Sequence, residues 1–350
     1  MELKFEKHLF KPKWVDYAVP VGSIIMGLLL GAIFLLCAGV NPLEAYREML
    51  HGAFGTMYAF SETVVKTIPL ILIGLGVAVA FRMLLWNIGA EGQFYMGAIG
   101  ATWVALSMGH LPAIKVLPLM LLAGFLFGGL WGLIPALLKA YGGANEIITT
   151  LMLNYVAINL CDYLVYGPWK DPEGKGFPLT KQFAEGACLP LLYKRIHVGV
   201  YLALIAIVLI YLIINKSKWG YEIRVTGENI KAANYAGINV IRNIVLVMIL
   251  SGGMAGIAGM AEVLGLTHRL QHGFSPGYGY TAIIVAWLAR LNPLAMTLVA
   301  FLFGALLVGG DQIQMSMNLP GSMTGIIQGT ILFSVLGGEI FSQYRIKFRK

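Results

Sequence analysis

The chain has 350 residues, of which 58% are hydrophobic and only 12% are charged. Soluble domains carry about 25% charged residues, so this composition excludes an ordinary soluble fold. The net charge of +8 does not indicate a nucleic-acid-binding protein, because the basic residues cluster between apolar blocks and at both ends of the chain. We predict an all-α polytopic membrane protein, located in the cell (plasma or inner) membrane.

The apolar blocks predict the transmembrane helices in chain order. A helix needs about 20 apolar residues to cross the hydrocarbon core. The blocks predict about ten spans, at residues 18–43, 67–81, 93–108, 116–138, 147–167, 196–215, 243–264, 280–289, 294–310 and 323–338. The eighth block is short, and the second and third are joined by only a few residues. Some of these segments are therefore candidates for broken or re-entrant helices.

The basic residues predict the orientation of the spans. They concentrate in the N-terminal segment 1–17, in the loop 216–242 and in the tail 341–350. The positive-inside rule places all three in the cytoplasm, which requires an even number of spans. Residues 18–340 then form the transmembrane domain, both termini are cytoplasmic, and the loop 168–197 lies outside.

A loose internal repeat predicts two related halves. The segment Gly-Gln-Phe-Tyr at 92–95 recurs as Gly-Tyr-Gly-Tyr at 277–280, and Phe-Leu-Phe-Gly occurs at both 125–128 and 301–304. An offset of five spans inverts the orientation, so the halves are predicted to be inverted-topology repeats, an architecture common among transporters. Chance similarity between apolar helices is the alternative.

Small residues spaced four apart predict close helix packing in lipid. The chain has such spacings at Gly27/Gly31, Gly128/Gly132, Gly252/Gly256 and Gly321/Gly325/Gly329.

Motifs for ATP or zinc chemistry are absent from the sequence. There is neither a G-x-x-x-x-G-K-[ST] phosphate loop nor an H-E-x-x-H zinc motif. His268 and His272 have the spacing of two metal ligands on one helix turn, but a solvated external segment explains them better. We therefore expect neither an enzyme nor a bound cofactor or metal.

Polar residues at membrane depth need an explanation, because they usually face a cavity or a partner. The first patch, between the second and third spans, contains Arg82, Asn87, Glu91 and Gln93. The alternative interpretation is a cytoplasmic turn with a local Arg82–Glu91 ion pair.

A second patch covers residues 142–155. Asn145 is suited to cap the fifth helix, and Glu146 complements its dipole. Asn154 lies inside the span, where an amide must find a partner.

A third patch lies in the cytoplasmic loop, where Gly227 and Gly237 bracket a short helix-forming run. Ile230, Ala233 and Ala236 or Gly237 would form a small-residue stripe suited to a partner's groove. A helix lying on the membrane surface is the alternative.

These patches carry a resemblance to the permease subunits of ABC importers for simple sugars and nucleosides, which covers about residues 40–340. The motifs are Asn-Ile-Gly-Ala-Glu-Gly-Gln at 87–93, Asn-Glu-Ile-Ile-x-Thr-Leu-Met-Leu-Asn-Tyr at 145–155, Gly-Tyr-Glu-x-Arg-x-x-Gly-Glu-Asn-x-x-Ala-Ala-x-Tyr-Ala-Gly-Ile at 220–238, and Leu-Ser-Gly-Gly-Met-Ala-Gly-Ile-Ala-Gly at 250–259. The first motif is most similar to the nucleoside branch, although Leu85-Trp86 before it is bulkier than usual there.

The resemblance implies the partners. Such permeases pair with an identical or homologous second permease subunit, an ATP-binding subunit that hydrolyses ATP, and an extracytoplasmic substrate-binding protein, often a lipoprotein. It also implies that the loop 216–242 carries a coupling helix seated in the ATPase. The residues assigned to this ATPase coupling are Gly227, Glu228, Asn229, Ala232, Ala233 and Tyr235.

The expected function is the translocation path for a nucleoside or simple sugar. Neutral polar and aromatic groups suit an uncharged ribosyl solute, and the expected pathway residues are Asn87, Glu91, Gln93, Phe94, Asn154 and Tyr155. The alternative is an ion-coupled secondary transporter of a small polar solute, which would use Glu91, Asp162 or Glu262 as its proton or sodium site.

Overall fold

A computed structural model describes the backbone of residues 2–7 and 15–349, and the side chains of residues 18–19 and 21–338. Of the terminal segments predicted above, residues 1, 8–14 and 350 lie outside this range. The chain divides into two compact units. Unit 1 comprises Met1–Phe60 and Ala305–Lys350, and unit 2 comprises Ser61–Gly304.

The described chain is mostly helical, as the composition predicted. Its α-helices are α1 (Val15–Cys37), α2 (Pro42–Phe54), α3 (Met57–Arg82), α4 (Ala90–Met108), α5 (Ala113–Gly142), α6 (Glu146–Tyr166), α7 (Gly199–Lys216), α8 (Lys218–Glu228), α9 (Ile230–Tyr235), α10 (Val240–Glu262), α11 (Tyr278–Leu288), α12 (Pro293–Met317) and α13 (Ser322–Gln343). Its strands are β1 (Glu2–Lys7), β2 (Leu191–Tyr193), β3 (Ile196–His197) and β4 (Tyr344–Arg349). A π-helical turn, Val263–Thr267, extends α10.

Within the described residues, six helices are long and apolar enough to cross a membrane: α3, α5, α6, α7, α10 with its π-turn, and α12. The pair Val21–Cys37 and Pro42–Phe54, bent by 113°, would raise the number to seven if it formed one span. Tyr278–Leu288 and Ser322–Gly338 are shorter apolar helices. The chain is therefore a multi-pass membrane protein, and the number ten remains a prediction.

Unit 1 is built on the packing of α1 against α13 and α2. A Cβ atom on Gly27 would lie only 2.5 Å from the Cα atom of Ile331, and one on Gly31 would lie 3.0 Å from the Tyr46 hydroxyl. That hydroxyl donates a 2.5 Å hydrogen bond to the carbonyl of Leu28. The close packing predicted for the first glycine pair is confirmed. β1 and β4 pair antiparallel, from Glu2↔Arg349 to Lys7↔Tyr344.

Unit 2 has a glycine-lined crossing of α4, α5 and α10 at its centre. A Cβ atom on Gly97 or on Gly128 would overlap the backbone of α10 at Gly256 or Gly252. Because these glycines have no side chain, the three backbones come into direct contact, as predicted for α5 and α10. The prediction fails for α13 in unit 1, where Gly325 and Gly329 have no described atom within 4 Å.

Candidate functional site: a buried polar cluster and the exposed face of α6

The irregular segment 83–89 separates α3 from α4. Leu84 has a positive φ of 56°, and the amide of Leu85 donates to the carbonyl of Ala80 at 3.1 Å. This left-handed C-cap ends α3. Gly89 precedes α4 without a side-chain cap. Backbone groups freed inside a membrane protein must be satisfied by neighbouring protein, which explains the polar side chains gathered here.

Asn87 is the hub of these polar side chains. Its amide nitrogen donates to Oε1 of Gln93 at 2.8 Å and to Oγ of Ser251, in α10, at 2.9 Å. Its amide oxygen accepts from Nε2 of Gln93 at 3.0 Å and from the backbone N–H of Gly89 at 3.1 Å. The side chains of Asn87 and Gln93 thus pair with one another, and both are buried.

Asn154 connects α6 to the same segment. Its amide oxygen accepts from the N–H of Gly92 at 2.8 Å, and its amide nitrogen donates to the carbonyl of Ile88 at 2.9 Å. The same nitrogen contacts the hydroxyl of Tyr280, in α11, at 3.2 Å. An amide inside a span requires a partner, and Asn154 finds it in backbone groups at the start of α4 and just before that helix.

Glu91 joins the N-termini of α4 and α11. One carboxylate oxygen accepts from Oγ of Ser275 and the other from the N–H of Gly279, both at 2.6 Å. A negative charge is stabilised at a helix N-terminus, and the carboxylate of Glu91 lies at two such termini. The local Arg82–Glu91 ion pair considered above is not present: Nη2 of Arg82 donates to the carbonyl of Leu291 at 2.8 Å, and the Glu91 oxygens bind Ser275 and Gly279.

Burial separates the six expected pathway residues into two groups. Five of them are buried within the chain: Asn87, Glu91, Gln93, Phe94 and Asn154. The ring of Phe94 stacks on Phe274, with ring centroids 5.3 Å apart. The sixth, Tyr155, is 56% exposed.

Tyr155 lies on an exposed face of α6 that the sequence analysis did not identify as a unit. The opposite stripe of α6 is buried, at Glu146, Thr150, Asn154, Ala157, Cys161 and Val165. On the exposed face, Asn159 and Tyr163 follow Tyr155 at intervals of four residues. That spacing places them on one side of the helix and could have been read from the sequence.

The exposed face of α7 provides a contrast with that of α6. Its exposed side chains are mainly aliphatic, among them Leu204, Ile205, Val208, Leu209 and Leu212. Aliphatic side chains suit lipid. The α6 face is mixed: Met152 and Val156 are exposed beside Tyr155, and the Asn159 amide nitrogen donates to the carbonyl of Tyr155 at 2.7 Å. The α6 face thus carries more aromatic and polar groups than the α7 face.

The start of α6 is fixed by specific contacts, and the start of α7 differs from the predicted one. The side chain of Asn145 accepts from the N–H of Ile147, which confirms it as the N-cap of α6. Glu146 forms a 2.8 Å ion pair with Lys139. The sixth predicted span begins at Gly199 rather than at residue 196.

His197 therefore lies just before α7, in β3 and outside the span. Its Nδ1 atom accepts from the N–H of Gly199 at 3.1 Å, and a Cβ atom on Gly265 of the π-turn would lie 2.5 Å from the imidazole. Burial, with a further contribution from nearby His268, lowers the pKa of His197 to about 4.

The histidines with metal-ligand spacing have other contacts. Nδ1 of His272 lies 2.7 Å from Oδ1 of Asp162, and Nδ1 of His268 lies 3.0 Å from the carbonyl of Leu264. Within the described part of the chain, no group of three His, Cys, Asp or Glu residues could hold a metal ion.

The segment expected to couple to an ATPase forms two short helices rather than one. Asn229 separates α8 from α9, and its side chain caps α9 by accepting from the N–H groups of Lys231 and Ala232. Tyr235 is 97% exposed, but Ala233 is fully buried. The expected small-residue stripe is thus partly turned into the protein and does not form one docking face.

Gly227 and Glu228 lie at the end of α8 beside the turn that closes α3. A Cβ atom on Gly227 would overlap the carbonyl oxygen of Arg82. A groove of about 470 Å³ opens here, and its lining includes Leu84, Glu228 and Ile230. Glu228 is exposed at the edge of this groove.

Comparison with known proteins identifies the family. Residues 59–336 match the family of the permease component of branched-chain amino acid transport systems. The chain is 35% identical to the glucose ABC transporter permease protein TsgB13 of Haloferax volcanii, over 99% of this chain and 94% of that protein. It is 37% identical to the guanosine ABC transporter permease protein NupP of Bacillus subtilis, over 94% of each chain. It is 31% identical to the nucleoside ABC transporter permease protein NupB of Lactococcus lactis subsp. cremoris, over 91% of this chain and 90% of that protein. The chain therefore belongs to this family of transport-system permease components.

Proposed function

We propose that this chain is the transmembrane permease subunit of an ATP-driven importer and forms the translocation path for a nucleoside or simple sugar. The observation that carries the proposal is its similarity, along nearly its whole length, to permeases named for guanosine, nucleosides and glucose. Both solute classes are uncharged and rich in hydroxyl groups, and nucleosides add a planar base.

The solute passes along the exposed face of α6. Tyr155, Asn159 and Tyr163 offer rings for stacking and groups for hydrogen bonding, and such contacts are individually weak. Weak binding suits a path, because the solute must leave it. The five buried residues among the expected pathway set act behind this face, where they hold α4, α6 and α11 in position.

The permease works with three proteins: an ATP-binding subunit, an extracytoplasmic substrate-binding lipoprotein, and a second permease subunit that is identical or homologous. The ATP-binding subunit contacts the exposed side chains of the coupling segment, Glu228, Asn229, Ala232 and Tyr235. Gly227 and Ala233 support that segment from beneath. Membrane lipid covers the aliphatic faces of helices such as α7.

The spans number about ten, arranged as inverted halves with both termini in the cytoplasm. The pairing of β1 with β4 supports an even number of crossings, because it brings the two ends of the chain together. The meeting of the α4 and α11 N-termini at Glu91 supports inverted halves, since the predicted repeat aligns the same two helix starts.

The similarity to ABC transporter permeases favours an ATP-driven importer over an ion-coupled carrier. Asp162 pairs with His272, and Glu262 contacts the hydroxyl of Tyr278 at 3.3 Å. Glu91 is bound by two donors at 2.6 Å. Each carboxylate that such a carrier would use thus has a protein partner.

The test is co-purification in mild detergent followed by reconstitution. We expect the tagged chain to recover an ATPase with a phosphate-binding loop and a secreted binding protein. Proteoliposomes containing the complex should import labelled guanosine or labelled glucose only when ATP is supplied. Uptake that survives without ATP and collapses with an ionophore would overturn the proposal in favour of an ion-coupled carrier.

A further inference from the structure

The segment that joins α3 to α4 runs antiparallel alongside α11 and is bound to it at both ends. At one end, Arg82 donates to the carbonyl of Leu291, just beyond the C-terminus of α11, at 2.8 Å. At the other end, Glu91 accepts from the N–H of Gly279, at the N-terminus of α11, at 2.6 Å. The irregular segment and α11 are therefore held together over the full length of the helix.

An aromatic contact reinforces this attachment between the two ends. Trp86 stacks on Trp287 of α11, with ring centroids 5.6 Å apart and an interplanar angle of 28°. Phe81, in the last turn of α3, packs against both indoles, with centroid distances of 5.0 and 6.0 Å. Trp86, the bulky residue just before the motif at 87–93, thus fixes the middle of the segment to α11.

The same segment also contacts α6, the helix whose exposed face is proposed as the path. The carbonyl of Ile88 accepts from the side chain of Asn154 at 2.9 Å. A Cβ atom on Gly89 would lie 2.9 Å from the Cβ atom of Thr150, so the backbone of the segment packs directly on Thr150 of α6. A displacement of the segment would therefore displace α6 or leave buried polar groups without partners, which is costly.

The segment meets the coupling loop at its beginning. Gly227 packs so closely on the turn after α3 that a Cβ atom there would overlap the Arg82 carbonyl oxygen and lie 3.2 Å from the Cα atom of Met83. Thr226, the residue before Gly227, is buried. The coupling loop thus bears directly on the start of a segment whose later residues bind α6 and α11.

We propose that residues 82–91 are the relay that carries movement of the coupling loop to α6 and α11. Gly227 on Arg82 is the input contact. Trp86 on Trp287 and Ile88 with Asn154 are the output contacts. The proposal rests on the proposed function, since it assumes that an ATPase moves the coupling loop. Trp86 and Gly227 are positioning residues in this scheme and do not contact the solute.

The test compares Gly227→Ala with Gly220→Ala in the complete, reconstituted importer. Both glycines lie in α8, and at both a Cβ atom would overlap backbone carbonyl oxygens, but Gly220 meets the end of α7 at Ile213 and Ile214 instead of Arg82. The quantity measured is the amount of ATP hydrolysed per labelled guanosine or glucose imported. A role limited to folding would lower hydrolysis and import together and leave this ratio unchanged.

We expect Gly227→Ala to raise the ratio at least threefold, because ATP is hydrolysed without a matching movement of α6. Gly220→Ala should leave the ratio at the wild-type value. A wild-type ratio in Gly227→Ala, or an equal rise in both variants, would overturn the relay. Absence of ATP-dependent import by the unmodified complex would instead overturn the proposed function, so the two failures are distinguishable.

A second pair of variants decides the question if Gly227→Ala does not assemble. Trp86→Leu removes the indole stack on Trp287, whereas Trp103→Leu changes a half-exposed tryptophan elsewhere, in α4. We expect a raised ratio for Trp86→Leu and an unchanged ratio for Trp103→Leu. A wild-type ratio for Trp86→Leu would show that the contact with α11 transmits nothing.

Discussion

The carboxylate of Glu91 accepts a 2.6 Å hydrogen bond from the backbone N–H of Gly279, a residue 188 positions further along the chain. The two helices joined in this way, α4 and α11, both begin at this contact. A single side chain thus fixes the relative position of the helix starts that the internal repeat places in correspondence. Their separation in sequence makes the contact a property of the tertiary fold.

Replacing Glu91 by Gln tests the importance of this carboxylate. The amide has one acceptor and one donor group, so it cannot accept from both Ser275 and Gly279 as the carboxylate does. Hydrogen bonds to charged groups contribute roughly 1.5–3 kcal/mol each, so we expect Glu91→Gln to unfold at a clearly lower temperature in detergent. Glu173→Gln, at an exposed loop position, should unfold like the wild type. Equal melting temperatures for all three proteins would contradict this expectation.

The stability of the protein should depend on pH through His197. Its pKa is about 4 in the folded protein, against an ordinary value of about 6.5 when unfolded. Between these values the unfolded chain binds the proton and the folded chain does not, so acid favours unfolding. The contribution of His197 to the free energy of unfolding is complete above about pH 6.5. About 3 kcal/mol of that free energy is lost as the pH falls to about 4.

Unfolding in detergent followed from pH 7.5 to pH 4 checks the role of His197. His197→Asn should flatten the acid side of the stability profile, because the titrating group has been removed. His110→Gln, at an exposed position, should keep the wild-type profile. An unchanged profile in His197→Asn would show that another group controls the acid sensitivity.

The glycine-lined crossing of α4, α5 and α10 predicts that one added methyl group destabilises the protein there but not at an open position. A Cβ atom on Gly256 would overlap the Gly124 carbonyl oxygen, so Gly256→Ala must separate α10 from α5. We expect the free energy of unfolding to fall by about 1–3 kcal/mol, as for an overpacked core. Gly325→Ala adds the same group to α13 where no described atom lies within 4 Å, and should be neutral or stabilise by up to about 1 kcal/mol. Thermal unfolding of the two variants in detergent compares them directly, and equal losses would contradict the packing.

The proposed path predicts different effects for two equally exposed tyrosines. Tyr155 on α6 is 56% exposed and Tyr201 on α7 is 52% exposed. Tyr155→Ala should lower the rate at which the reconstituted complex imports labelled guanosine severalfold, because stacking between two aromatic rings contributes about 1 kcal/mol. Tyr201→Ala should import at the wild-type rate. Equal rates for both variants would remove α6 from the path, and similar expression and melting temperatures are the control for folding.

Part of this organisation is local and can be read from sequence. Asn145 caps α6 as predicted, because a cap is decided by residues two or three positions away. The spacing in α5 and α10 likewise indicated a small-residue face. The same spacing in α13 did not lead to packing at Gly325 and Gly329, because a glycine face has to meet another helix, and the neighbours of a helix are not encoded in its own spacing.

The site was predicted less completely, for a physical reason that Asn87 and Asn154 illustrate. An amide inside a membrane needs a partner, and that requirement is visible in the sequence. Solute, water and protein can each serve as that partner, and only the tertiary contacts decide among them. Here Asn87 binds Gln93 and Ser251, and Asn154 binds backbone, so both amides are satisfied within the chain.

The sequence by itself determined that this is a helical membrane protein of a permease family, because hydrophobicity, helix caps and motif spacing are local properties of the chain. Tertiary structure alone decided that Glu91 binds Gly279, that Ala233 is buried, and that Tyr155 lies on an exposed face. These outcomes depend on which helices pack together. Helix packing in lipid is set by shape and hydrogen bonding between segments far apart in sequence, and no local pattern records it.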